Sequence, residues 1–185
     1  MTTELEKFIL GARQILGNKS EHAALEDVRH ELEYLLKDKD FIKENFGDSP
    51  IPGTTLLFED PSLGFQIISY AMDKPIKGGP HDHGNSWAIY GQALGWTEMT
   101  EWEREENPED PSKGTMKAVK TYRLEGGMAG IFREGDIHSI SYPGGACFIR
   151  ITGCDLSKIP RGRYNLQDGT VEIGKRPNFD GTRSS

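Results

Sequence analysis

Short β-type segments dominate the sequence after residue 53. Pro50-Ile51-Pro52-Gly53 separates them from the preceding chain, because prolines and glycine end regular elements. Turn-forming Gly, Pro, Asn or Asp stands in most of the gaps between nine runs. The predicted strands are Thr54–Glu59, Phe65–Met72, Trp87–Ala93, Thr97–Trp102, Met116–Tyr122, Met128–Phe132, Ile137–Tyr142, Cys147–Thr152 and Thr170–Ile173. Many short strands with turns between them predict a mainly β chain, folded as a small barrel or jelly roll.

The first 47 residues carry helical periodicity instead. Apolar residues recur at spacings of three and four from Leu5 to Leu16, from Leu25 to Leu36 and again from Phe41 to Phe46. We predict three helices packed outside the barrel. The predicted single domain spans residues 1–174, with a helical segment at 1–47 and a β-barrel at 54–173. Two polar stretches are predicted as an exposed hairpin loop (Glu103–Gly114) and a C-terminal tail (Lys175–Ser185).

Charge and cysteine content indicate which binding partners and which cellular compartment to expect. The chain has 22 basic and 29 acidic side chains, a net charge of −7, which argues against a nucleic-acid-binding protein. No apolar run approaches the length of a membrane span, and the N-terminal residues lack the pattern of a secretory signal. Because there are only two cysteines, Cys147 and Cys154, we expect a reducing, cytoplasmic environment.

Three of the five histidines form the main chemical signal. His81 and His83 flank Asp82 after Gly78-Gly79-Pro80, and residues two apart in an extended chain project to the same side. Such a pair can reach one metal ion, although His-x-His also occurs on ordinary polar strands. His138 follows a tight turn and enters a later strand, so a small barrel can bring it to the pair. Three imidazoles leave a metal with open positions for water, dioxygen or substrate.

The arrangement resembles the cupin superfamily. Its first motif maps onto His81, His83 and Gly95, and its second motif onto Gly127, Gly135 and His138. Ala88 stands where many cupins have a glutamate ligand, which makes the chain similar to the three-histidine cupins of the cysteine dioxygenase (thiol dioxygenase) family. A helical N-terminal segment and the run Phe65–Tyr70 before the histidine pair are also similar. The resemblance implies a cupin-type double-stranded β-helix, and an Fe(II) site held by His81, His83 and His138.

Two features of that family have no counterpart here. Its substrate-clamping arginine lies on an early strand, and the matching stretch Thr54–Glu59 has no arginine. Its Ser-His-Tyr relay is replaced by Phe148, Arg150 and Thr152. The resemblance therefore implies the metal centre and a dioxygenase reaction on a small thiol or other small anion, rather than cysteine itself as the substrate.

The substrate-binding candidates come from strand alternation and chemistry. If Ala88 faces the barrel interior, Tyr90 and Gln92 share its side of the strand. Arg150 lies in an otherwise apolar strand, where it either binds the substrate's anionic group or pairs with solvent or a structural carboxylate. We include Tyr70 with Tyr90, Gln92 and Arg150, although a packing role with a satisfied hydroxyl is the alternative for both tyrosines.

Two other classes of function stay open at this level. The metal can be Zn, Ni or Mn acting as a Lewis acid in an isomerase or hydrolase. A non-catalytic cupin that binds a small ligand is the remaining alternative. The substrate's identity and the oligomeric state are not predicted.

Overall fold

In the computed structural model, residues 3–177 are described and form three helices and eleven strands. The helices are α1 (Thr3–Asn18), α2 (Glu21–Leu35) and α3 (Lys39–Phe46). The strands are β1 (Gly53–Glu59), β2 (Gln66–Ala71), β3 (Ile76–Lys77), β4 (Ala88–Leu94), β5 (Trp96–Asn107), β6 (Asp110–Glu125), β7 (Ala129–Phe132), β8 (Ile137–Tyr142), β9 (Cys147–Thr152), β10 (Arg161–Tyr164) and β11 (Val171–Gly174). Residues 1–2 of the predicted helical segment and 178–185 of the predicted tail lie outside the described residues. None of the described helices is long and apolar enough to cross a bilayer.

Two antiparallel sheets form the body of the molecule. One has the strand order β1-β2-β9-β4-β7 and the other β3-β8-β5-β6, while β10 and β11 pair as a separate hairpin. Strands distant in sequence are neighbours in both sheets, and every pairing is antiparallel. This topology is the predicted cupin-type jelly roll, with the helical segment before it.

Alternating side chains of the five-stranded sheet build two separate cores. On β4 and β9, Ile89, Ile149 and Ile151 are buried against α1 and α2. Ala88, Tyr90 and Phe148 point the other way, into the barrel interior, where they join residues of β5, β6 and β8. This sheet is therefore covered on both faces, as the apolar character of its central strands requires. Ala88 and Tyr90 thus face the interior together, as alternation along one strand predicts.

The predicted exposed hairpin at Glu103–Gly114 is present, but its loop is much shorter than predicted. The strands β5 and β6 continue to Asn107 and Asp110, so most of this acidic stretch is paired backbone. Arg104 stabilises the hairpin, because its guanidinium donates to the carbonyls of Pro111 (2.9 Å), Lys113 (3.0 Å) and Gly169 (2.9 Å). The apolar alternation that identifies strands is missing here because the hairpin extends past the core.

Two short strands, β3 and β10, were also missed. The strand β3 has only two residues, and the sequence of β10, Arg161-Gly162-Arg163-Tyr164, shows no apolar alternation. Hydrogen bonds hold the start of the predicted tail against β10. The guanidinium of Arg176 donates to the Arg161 carbonyl (2.6 Å), and that of Arg161 donates to the Pro177 carbonyl (3.0 Å).

The packing of α2 on the sheet depends on Gly91. A β carbon at this position would lie 2.5 Å from Leu36 Cδ1 and 2.6 Å from Leu32 Cδ2. We expect Gly91→Ala to lower the free energy of unfolding by about 1–3 kcal/mol, because the added methyl group overfills a closed core. Urea unfolding measures this change. Gly11→Ala is the control, since a β carbon there meets no atom within 4 Å and should stabilise α1 by up to about 1 kcal/mol. Equal stability of the two variants would contradict this view of the interface.

Candidate metal centre and cavity

The structure brings His81, His83 and His138 together at one end of the barrel. His81 lies in the loop before β4, and its backbone pairs with that of His138 on β8 through N–H···O bonds of 2.8 and 2.9 Å. One ring nitrogen from each of the three side chains lies within 4.8 Å of the others. Among residues 3–177, no other set of three His, Cys, Asp or Glu side chains converges in this way.

The chemistry of these nitrogens fits a metal site. The side chains of His83 and His138 are buried, and the His138 ring lies 3.7 Å from the Phe132 ring, centroid to centroid. Neither ring nitrogen of His138 has a hydrogen-bond partner within the described chain, and nor does Nδ1 of His83. A buried polar atom without a partner costs about 1–3 kcal/mol, and coordination to a cation would remove that cost.

Electrostatics keep the two buried imidazoles neutral. Burial lowers the pKa of His83 and of His138 well below the usual value, and the neighbouring His81 and Arg150 lower both further. A neutral imidazole retains the lone pair that binds a metal. Two of the three candidate ligands are therefore neutral and able to bind a metal.

Because the pKa values of His83 and His138 are lowered, the stability of the metal-free chain depends on pH. A histidine in the unfolded chain has a pKa of about 6.5, so below that pH the unfolded state binds more protons than the folded state. The contribution of His83 and His138 to stability is therefore intact above about pH 7 and is lost progressively as the pH falls below about 6.5 towards their lowered pKa in the folded chain, with a slope of up to about 1.4 kcal/mol per pH unit for each group. Urea unfolding in the presence of a chelator measures this slope. An unchanged slope in the double variant His83→Asn, His138→Asn would refute the assignment.

Asp82, between the first two histidines, holds the loop in place. Its Oδ1 accepts hydrogen bonds from the backbone N–H groups of Gly84 (2.8 Å) and Gly162 (2.9 Å). Its Oδ2 accepts a hydrogen bond of 2.7 Å from the Tyr164 hydroxyl. Asp82 therefore ties the histidine loop to β10. Sequence reasoning missed this role, although the alternation of an extended chain already turns Asp82 away from the side shared by His81 and His83.

A cavity of about 400 Å³ opens beside the histidines. The predicted residues Tyr70, Tyr90 and Arg150 line it, together with His81. The Tyr90 hydroxyl lies 3.3 Å from Nε2 of His83, so this tyrosine connects the cavity with the histidine cluster. The side chain of Arg150 is only 7% exposed, and its guanidinium carbon lies 5.1 Å from the centre of the Tyr70 ring.

Gln92, also predicted to bind substrate, does not reach the cavity. Its amide nitrogen donates to the carbonyls of Leu94 (2.7 Å) and Cys147 (3.2 Å), and its amide oxygen accepts from the Thr97 hydroxyl at 2.9 Å. The side chain is completely buried and joins β4, β5 and β9. Strand alternation gave the correct side for Gln92 but not its depth along the barrel.

Two further side chains at the cavity come from β10. Arg163 and Tyr164 line it, and the Tyr164 N–H donates to the Pro80 carbonyl at 3.0 Å. They were missed because β10 was not predicted. The one available signal was the cationic and aromatic content of the stretch Arg161–Tyr164.

No family model matches this chain, and no curated protein matches it. Solved structures do match. KdgF from Halomonas sp. is 17% identical over 54% of this chain and 76% of its own, with a TM-score of 0.40. A cupin superfamily protein from Desulfitobacterium hafniense is 14% identical over 58% of this chain and 93% of its own, with a TM-score of 0.41. A protein with a double-stranded β-helix domain from Klebsiella pneumoniae is 12% identical over 73% of this chain and 89% of its own, also at 0.41.

These likenesses concern the fold. The cupin-type architecture of the chain stands on its strand order and its two facing antiparallel sheets, and its three-histidine cluster lies at one end of that barrel. Membership of the thiol dioxygenase family stays a prediction.

Proposed function

We propose that the protein is a mononuclear non-haem iron dioxygenase that oxidises a small anionic substrate, such as a thiol or a carboxylic acid. One observation carries the proposal: three imidazoles converge, and one of them, that of His81, lines a cavity that is also lined by the buried side chain of Arg150. The cavity that would bind the substrate therefore borders the histidine cluster that would hold the redox centre.

His81, His83 and His138 would hold Fe(II). When bound, the metal supplies coordination of the anionic substrate and of dioxygen, and transfer of electrons between them. Because an imidazole that binds a metal is neutral, three such ligands would leave the positive charge of the site for an anionic substrate. Ala88 is buried and faces the interior at the position where a fourth, carboxylate ligand would reduce that charge.

The surrounding side chains position the substrate and exclude water. Arg150 binds the substrate's acid group through charge-assisted hydrogen bonds, which are strong at a buried site. The Tyr90 hydroxyl, next to His83, donates a hydrogen bond to a substrate or oxygen atom at the cluster. Phe132 and Phe148 make the inner surface apolar, which strengthens each electrostatic contact there.

Metal analysis of the purified chain, combined with oxygen-electrode traces on small thiols and carboxylic acids, tests the proposal. Bound iron together with substrate-dependent oxygen uptake would support it. Zinc with no oxygen uptake would overturn it in favour of Lewis-acid chemistry, and absence of any metal in favour of a binding protein.

A further inference from the structure

The Tyr90 hydroxyl points at the histidine cluster. This tyrosine is only 4% exposed, and its ring centre lies 5.9 Å from that of His83 and 5.5 Å from that of His138. Within the described chain, Nε2 of His83 is the only hydrogen-bond partner of the hydroxyl. Tyr90 also lines the cavity, so its side chain lies where the cluster and the cavity meet.

The distance between the two polar atoms suits a shared metal ion. The Tyr90 hydroxyl oxygen and Nε2 of His83 are 3.3 Å apart. An N–H···O hydrogen bond is usually about 2.7–3.2 Å long, so this contact is longer than most. Two atoms that each bind one tetrahedral ion at about 2.0–2.1 Å are about 3.3–3.4 Å apart. The observed distance therefore fits two ligands of one ion.

Hydrogen bonding indicates which ring nitrogens would bind the metal. Nδ1 of His81 lies 3.2 Å from the Gly79 carbonyl, and a nitrogen that donates to a carbonyl carries the proton. The lone pair of His81 is then on Nε2, so this histidine would bind a metal through Nε2. If His83 binds in the same way, the Tyr90 oxygen lies beside the coordinating atom. The alternative is that Nδ1 of His83 binds the metal and its Nε2–H donates to Tyr90.

The chemistry of a phenol suits this position. Tyrosine is a ligand of iron in some haem proteins, and a bound cation stabilises the anionic form of the group that coordinates it. Ala88, two residues earlier on the same inward face of β4, contributes only a methyl group. No carboxylate therefore competes with Tyr90 from that position of the strand.

We propose that Tyr90 is a fourth protein ligand of the metal centre, binding through its oxygen as a phenolate when no substrate is present. The inference rests on the proposed function, in which an anionic substrate binds at the same centre. When the thiol or acid group of a substrate takes the place of Tyr90, the phenolate accepts the proton that this group loses. Tyr90 then carries the hydroxyl that donates a hydrogen bond to the bound substrate.

The test is spectroscopy of the full chain after removal of metal with a chelator and reloading with ferric ion. Ferric ion bound by a phenolate absorbs visible light through electron transfer from the ring to the metal, whereas imidazole ligands alone give no such band. We expect the unmodified protein to show this band, together with phenolate vibrations in the resonance Raman spectrum. Tyr90→Phe should lose both features while the three histidines still hold ferric ion, which elemental analysis verifies.

Tyr142→Phe is the matched control. Tyr142 is also buried and lines the same cavity, but it lies four residues beyond His138 on β8. This variant should keep the band. The spectrum of the unmodified protein is decisive even if Tyr90→Phe fails to fold, because iron-loaded protein without phenolate vibrations overturns the inference without any variant. A band that survives Tyr90→Phe would overturn it as well.

Failure of this inference is distinguishable from failure of the proposed function. Iron-loaded protein without the band, but with substrate-dependent oxygen uptake, would leave the dioxygenase standing and reject Tyr90 as a ligand. The band without any oxygen uptake would support Tyr90 as a ligand and count against the dioxygenase. A chain that binds no ferric ion would overturn both.

Discussion

Purified His138→Ala protein is expected to contain less than about a tenth of the metal of the unmodified chain, since even residues that merely support a ligand change metal affinity by 10–100-fold. His138 is completely buried, and neither of its ring nitrogens has a hydrogen-bond partner within residues 3–177. The substitution removes one of three ligands, and no other convergent set of potential ligands in the described chain can replace it. Inductively coupled plasma mass spectrometry after expression with added iron measures the content.

His30→Ala is the matched control for this experiment. The His30 side chain lies on the surface of α2 and is 57% exposed, so its removal should leave the metal content unchanged. Far-ultraviolet circular dichroism verifies that both variants are folded. Full metal content in His138→Ala, together with full content in the corresponding His81 and His83 variants, would refute the site.

Arg150→Met should weaken apparent substrate affinity by about 10- to 100-fold, since a charge-assisted hydrogen bond contributes about 1.5–3 kcal/mol. Methionine keeps much of the length and the apolar stem of arginine but removes the cation. Because Arg150 is not a metal ligand, the metal content should stay at the level of the unmodified chain. Steady-state kinetics on a substrate found by oxygen uptake measure the loss as an increase in KM.

Metal content serves as the internal check on Arg150→Met, because a misfolded barrel would lose the histidine cluster as well. Arg150→Lys, which keeps the charge but not the two-pronged geometry, should recover part of the affinity. Unchanged kinetics in a folded, metal-loaded Arg150→Met protein would leave Arg150 with a purely structural role against Tyr70.

The sequence allowed prediction of those features that depend on alternation within one strand. A period of two residues predicts that His81 and His83 share one side of the chain, and that Ala88 and Tyr90 share one face of β4. These features are present in the structure.

Features that depend on contacts between distant segments were not predictable in the same way. The strand β10 is recognisable only from its pairing with β11 and its contacts with the histidine loop, because its own sequence is polar. Arg163 and Tyr164 were missed for that reason. Gln92 was assigned to the correct side of β4, but alternation carries no information about which end of the barrel a residue reaches.

The hydrogen bonds of Asp82 connect metal binding at the histidine cluster with ligand binding in the cavity. One carboxylate joins the backbone between His81 and His83 to β10, the strand that carries Arg163. A cavity ligand that contacts β10 is therefore linked through Asp82 to the loop that carries His81 and His83. Such linkage is reciprocal. The factor by which the ligand raises the affinity for the metal equals the factor by which the metal raises the affinity for the ligand. Asp82→Asn, which replaces one carboxylate oxygen by an amide NH₂, should reduce that mutual factor towards one.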